Sequence, residues 1–170
     1  MRLGGYDRAM LIILALALAA PQAVPGQTTP ACQSQAKPAH MAAVRRIIEA
    51  LAALKASPLP DDRKADAQAR LFHALEALGP SAAPAIIAQM DDRRPLAVQE
   101  IRLVNRSAEA FEAFRIYGPE LIVDALDAIL NQLTGQYFSG IYNGGSEAER
   151  RQSVAGWRAY AAGLACRHNR

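Results

Sequence analysis

The residues best suited to chemistry in this chain gather in its last third. Tyr137, Phe138, Tyr142 and Trp157 place aromatic rings around one loop, and Asn143-Gly144-Gly145 sits where a helix should begin. Glycine-freed backbone N–H groups can form a concave nest for an anion, and a following helix N-terminus adds its dipole. Ser146 and Glu149 compete for those donors. Their spacing is that of a capping box, in which each side chain takes a free backbone N–H at the other's position. The first reading is therefore structural: the aromatics close one end of a helical body and the glycines make the turn. The chemical alternative keeps Tyr137, Phe138, Tyr142, Asn143 and Arg158 as a possible binding surface.

Other candidate groups are sparser. Asp124, Asp127 and Asn131 recur at three- and four-residue spacing, which puts three oxygen ligands on one helix face. A hard cation needs more oxygens converging from elsewhere, so the face reads as the solvated side of an amphipathic helix. His73 and Glu76 lie three apart without an HExxH pattern, and no zinc site is expected. Ser139-Gly140 and Ser153 have no nucleophile-elbow context, and no SxxK is present. His40 and His168 fall at the ends of the expected body. No catalytic, metal-binding or cofactor-binding residue is assigned, and the expectation is a non-enzyme.

Two helices must position the aromatic loop. Ile122, Ala125, Leu126, Ile129, Leu130 and Leu133 form one apolar stripe. Pro119 suits its first turn and Gly135 the position just past its end. After the loop, Ser146 starts a second helix whose buried stripe is Val154, Trp157, Ala161 and Leu164.

Upstream, residues 39–56 predict an amphipathic helix with Val44, Ile47, Ile48, Leu51 and Leu54 on one face. Ser57-Pro58-Leu59-Pro60 breaks it. Asp61 or Asp62 is the expected cap of the next helix, whose face is Leu71, Phe72, Leu75 and Leu78 and which stops at Gly79. Ser81 is a plausible N-cap for a third helix carrying Pro84, Ile86, Ile87 and Met90. Asp91-Asp92-Arg93-Arg94-Pro95 reads as a solvated turn. Residues 96–105 are too β-branched and too aperiodic for a helix and read as extended or irregular. Ser107 then caps a short predicted helix through Phe111, Phe114 and Tyr117, ended by Gly118-Pro119.

The N-terminus carries an export signature. Arg2 and Arg8 flank the start of an unbroken apolar run over residues 9–20, followed by small residues and a Pro-rich exit. About 20 apolar residues are needed to span a bilayer, and this run is shorter. The expectation is a signal peptide over residues 1–26, cut between about residues 20 and 28. A linker over 27–38, a helical domain over 39–166 and a tail over 167–170 follow. Export makes the two cysteines informative, since Cys32 and Cys166 sit at opposite ends of the mature chain. In an oxidising compartment they are expected to pair, closing a loop worth about 5 kcal/mol in the chain-entropy model. The net charge of +3 falls to about +2 without Arg2, Asp7 and Arg8, and the basic residues are scattered, which argues against nucleic acid.

Residues 66–92, DAQARLFHALEALGPSAAPAIIAQMDD, resemble a HEAT-like repeat: an amphipathic helix, a Gly-Pro turn and an antiparallel helix ending in acidic residues. Residues 118–160 resemble the C-terminal unit of exported bacterial proteins of HEAT-like type. That likeness rests on Leu133-Thr134-Gly135, Phe138, Tyr142-Asn143-Gly144-Gly145, Glu149-Arg150 and Trp157-Arg158. HEAT-like repeats stack helix pairs into superhelices and usually serve as binding scaffolds. The combined expectation is an all-α fold, a short HEAT-like α-α superhelix of about five to six antiparallel helices. Its role would be a non-catalytic periplasmic or secreted scaffold for a protein partner, with no cofactor and no stable membrane span after signal cleavage. The alternatives are an inhibitor or immunity protein against a periplasm-acting enzyme, and a small-ligand or enzymatic role at the aromatic–Asn-Gly-Gly loop.

Overall fold

The computed structural model describes residues 36–105 and 111–168. The expected signal peptide, most of the expected linker and Cys32 lie outside them. No helix among the described residues is long and apolar enough to cross a membrane.

Helix α1 (Pro38–Lys55) opens on proline at its first position and buries Val44, Ile48 and Leu51 along one stripe. Helix α2 (Asp61–Ala77) packs against it and buries Phe72 and Leu75. Asp61 and Asp62 occupy its first turn, where they oppose the positive end of the helix dipole. The cap position itself is Pro60, and no side chain caps it. Gly79 breaks the chain at a left-handed φ of 72°. A single 3-10 turn (Pro80–Ala82) leads into the short helix α3 (Ala83–Ile87), and Ser81 caps nothing.

The region between α3 and the next helix departs from the all-α expectation. Strands β1 (Ile101–Val104) and β2 (Phe114–Tyr117) pair antiparallel, with Ile101 opposite Tyr117 and Val104 opposite Phe114. The fold is mostly helical with a small sheet. The helix expected through Phe111, Phe114 and Tyr117 does not form at its C-terminal half. Phe114 and Tyr117 are three apart, which reads as a helical stripe, but they point to opposite faces of a strand. The alternation in β1 is the true signal: Ile101 and Leu103 are buried while Arg102 and Val104 are exposed.

Helix α4 (Ile122–Thr134) touches α1, α2, α3 and α5, and every residue from Ile122 to Leu130 is buried. A helix end in such surroundings needs partners for its free N–H groups. The strand-like segment 92–96 supplies them: Ile122 N–H donates to Arg94 O at 3.0 Å and Val123 N–H to Asp92 O at 3.1 Å. Pro119 lies upstream of the helix rather than in its first turn. Gly135, at φ 67°, ends α4 in the left-handed conformation expected of it. Helix α5 (Glu147–His168) returns after the aromatic loop and runs into the expected tail.

Candidate functional site

The candidate residues of the last third fall into a buried polar core and a partly exposed aromatic ridge. Asp124 and Asp127 are buried, not solvated, because α4 is enclosed on all sides. An ionised carboxylate in that position must be paired and hydrogen-bonded. Arg150, itself nearly buried, meets Asp124 with two bonds of 2.8 Å and reaches Glu120 Oε2 at 2.9 Å. Asp124 Oδ2 also accepts the N–H groups of Glu120 and Leu121, at 3.2 and 3.0 Å, and so closes the start of α4. The Asp124 and Glu120 bonds raise the Arg150 guanidinium above its already high ordinary value.

One turn on, Asp127 receives only neutral donors. Ser153 Oγ and the Trp157 indole N–H each reach Oδ1 at 2.7 Å, and the Ile141 N–H also donates to it. Burial pushes the Asp127 carboxyl above the usual carboxylate range, with nearby Asp124 adding to the rise. The expected solvated face of Asp124, Asp127 and Asn131 is thus corrected. Asn131 is half-buried at the far end of α4, where its side-chain amide caps Gln136 O at 2.8 Å. Among the described residues no group of three His, Cys, Asp or Glu side chains is placed to hold a metal ion.

The pairing partners were legible in pattern, if not in meaning. Arg150, Ser153 and Trp157 stand at three- and four-residue steps on α5, opposite Asp124 and Asp127 on α4. The contacts advance in the same direction along both helices, which residues 135–146 allow by running back along α4.

That returning loop carries the aromatics. Phe138 packs its edge against Trp157, with ring centroids 4.8 Å apart, and Tyr160 closes the other side at 5.9 Å. Gly156 makes room: a Cβ there would lie 2.6 Å from the Phe138 ring. Phe138 is therefore an anchor of the loop. Tyr142 sits between Tyr117 at 4.8 Å and Tyr137 at 6.3 Å, and burial beside these two rings pushes its phenol upward. Tyr137 is the exposed end of this ridge. Asn143 spends its side-chain oxygen on Gly118 N–H at 2.8 Å. Gly144, at φ 84°, makes the turn beneath Glu120. The Ser146–Glu149 box forms as expected, with Ser146 N–H on Glu149 Oε2 at 2.7 Å and Glu149 N–H on Ser146 Oγ at 3.3 Å. The donor that an anion would need at this helix start is already taken.

Arg158 lies apart from the ridge, on Asp91. It belongs to a hub at residues 91–95, where the sequence suggested only a solvated turn. Arg93 binds Glu147 and Met90 O, while Arg94 binds Asp92 and Glu49, so the turn ties α3 to α5 and α1. His73 pairs with the buried Glu76 at 3.1 Å within α2. Ser139 stands in the returning loop at a left-handed φ of 59°. Cys166, in the last turns of α5, carries no free thiol, and its expected partner Cys32 is outside the described residues.

The feature that sequence reasoning missed is the outer face of the β1–β2 hairpin. Val104, Phe114 and Ile116 project from it, Phe111 is fully exposed beside it, and Arg102 lies 4.2 Å over the Phe114 ring. Comparison with known proteins finds no matching family model, no matching curated protein and no matching solved structure.

Proposed function

We propose that this chain is an exported, non-catalytic scaffold that binds a protein partner through the outer face of its hairpin. The observation that carries the reading is that face itself: of the six large apolar side chains left exposed among the described residues, Val104, Phe111, Phe114 and Ile116 gather at this one hairpin. An exposed apolar patch rimmed by polar residues is a mark of an interaction site. The buried polar groups support the same view, since Asp124, Asp127, Arg150 and Ser153 are consumed in holding α4 to α5 and its loop. In this reading α2, the 3-10 turn and α3 form one HEAT-like unit, and a Cys32–Cys166 bridge fastens the two ends of the body.

The test is capture with the wild-type protein followed by reconstitution with the purified partner. Phe111→Ser removes a side chain that touches little of the fold, so it should leave the melting temperature unchanged and weaken the complex. Val104→Asp should do the same more strongly. A complex indifferent to both substitutions would place the binding surface elsewhere. Export and the bridge are tested together by intact mass of periplasmic material. A product beginning between about residues 20 and 28, and gaining two hydrogens on reduction, is expected; retention of Met1 or free labelling of both thiols would refute them.

A further inference from the structure

We infer that Asn143 is a self-modification site: its side chain condenses with the Gly144 backbone nitrogen to a succinimide, and the fold holds that reaction back until the returning loop opens. Asn143-Gly144 is the only Asn-Gly step in the chain. The chemistry selects this pair because the nitrogen that follows an asparagine can close a ring on the side-chain carbonyl carbon. Glycine has no side chain to crowd that nitrogen. The other asparagines precede Arg106, Gln132 and Arg170, whose side chains shield it.

The step balances without any redox partner. The bond from Gly144 N to Asn143 Cγ forms as the Cγ–Nδ2 bond breaks, and Nδ2 leaves as ammonia with the proton that Gly144 gives up. Water then opens the ring at one carbonyl or the other, leaving aspartate or isoaspartate. Asn143 is exposed, so water reaches it.

Three bonds on neighbouring residues keep the folded chain from this path. Ile141 N–H is held by the buried Asp127, Gly144 N–H donates to Ile141 O at 2.8 Å, and Asn143 Oδ1 accepts the Gly118 N–H at 2.8 Å. The Gly118 bond by itself polarises the carbonyl for attack. The nucleophile is what is withheld, since the proton that must leave Gly144 is the one Ile141 O holds. Opening the 141–144 turn releases nitrogen and carboxamide together, and local opening costs less than global unfolding.

The isoaspartate product cannot return to the same turn. Its main chain is one methylene longer, in a turn closed by the single Gly144–Ile141 bond and pressed beneath Glu120 at φ 84°. Its free carboxylate sits directly on Cα, too short to reach Gly118 as the asparagine side chain does. Tyr142, whose ring lies between Tyr117 and Tyr137, is the next residue back and loses its seat.

Incubation of the purified full chain at mildly alkaline pH, followed by digestion and mass spectrometry, tests this. In urea-unfolded protein Asn143 should convert to the acid at least about tenfold faster than in folded protein. Asn105 and Asn131 should stay intact in both. Equal rates in folded and unfolded chains overturn the proposal, as does an unfolded chain in which Asn143 survives or another asparagine converts first. The isoaspartate form, separated by ion exchange, should melt below the starting protein. Asn143→Asp, which keeps an oxygen for the Gly118 N–H, should melt near it. An isoaspartate form as stable as the starting protein overturns the role given to the turn. None of these residues projects from the outer face of the hairpin, so the outcome is independent of partner capture.

Discussion

Trp157 donates its indole N–H to Asp127 Oδ1 at 2.7 Å, so the largest side chain of the core is tied to a buried carboxylate of the central helix. Two effects that are usually separate meet in this contact. The indole fills the space between α5 and the loop, while its N–H compensates a group that would otherwise be costly to bury.

Trp157→Ala should therefore cost more than a cavity alone. Truncating a buried aromatic costs about 3–5 kcal/mol, and leaving Asp127 short of a donor adds to that. Against a total stability of about 5–15 kcal/mol, the variant should melt far below wild type or fail to accumulate. Trp157→Phe keeps most of the volume and loses the donor, so it should lie between. Thermal melts that rank Trp157→Phe with wild type would show the hydrogen bond to be dispensable.

Arg150 and Asp124 form the second tie. Breaking a buried ion pair from one side costs about 3–5 kcal/mol, because the remaining charge is stranded. Arg150→Ala should show that loss in chemical denaturation. Arg150→Lys should recover only part of it, since an ammonium cannot serve Asp124 through two nitrogens and Glu120 as well. Combining Arg150→Ala with Asp124→Asn should cost less than the sum of the two. Additive losses would mean the two groups do not depend on each other.

The helices were legible because their apolar spacing is strong and their stops are explicit: Gly79, Gly135 and the Ser146–Glu149 box all stand where the pattern placed them. The burial of Asp124 and Asp127 was not legible. A single helix read alone assigns its polar side to water, and nothing local says that four other helices and a loop enclose it. The Asp91–Pro95 turn misled for the same reason, since the partners of its arginines lie far along the chain. Strand β2 failed on period: Phe114, Tyr117 and the preceding Phe111 fit three-residue spacing by accident. The hairpin face followed from that error, because a helix through these residues would have turned its apolar side inward.

Gly156 gives a test of the loop anchor that propensity alone gets wrong. In an open helix interior, glycine to alanine stabilises by about 1 kcal/mol. At Gly156 the new methyl would sit 2.6 Å from the Phe138 ring and push the loop off α5, so Gly156→Ala should destabilise. Gly163 is the internal control. It lies in the same helix with nothing within 4 Å of an added Cβ, and Gly163→Ala should stabilise by up to about 1 kcal/mol. Melting shifts of the same sign for both would remove Phe138 from its place against the helix.

Asp127 also predicts a pH dependence, and its sign is the reverse of the usual carboxylate. Most paired carboxylates are held below their ordinary range, so acid destabilises the fold through them. The exposed Glu147 behaves that way, lowered by its bond to Arg93. Asp127 is raised by burial, so the folded state holds its proton more tightly than the unfolded chain does. Its contribution is fully present below the ordinary aspartate value and is lost as pH rises through the higher folded value. Asp127→Asn removes this titration while keeping an oxygen for the Trp157 N–H. The stability of wild type relative to Asp127→Asn should therefore increase as pH falls from neutral toward the ordinary carboxylate range. Urea denaturation of both proteins at several pH values measures that difference, with the other carboxylates cancelling between them. A difference that shrinks on acidification would show Asp127 to be held below its ordinary value, which would mean that its three donors outweigh its burial.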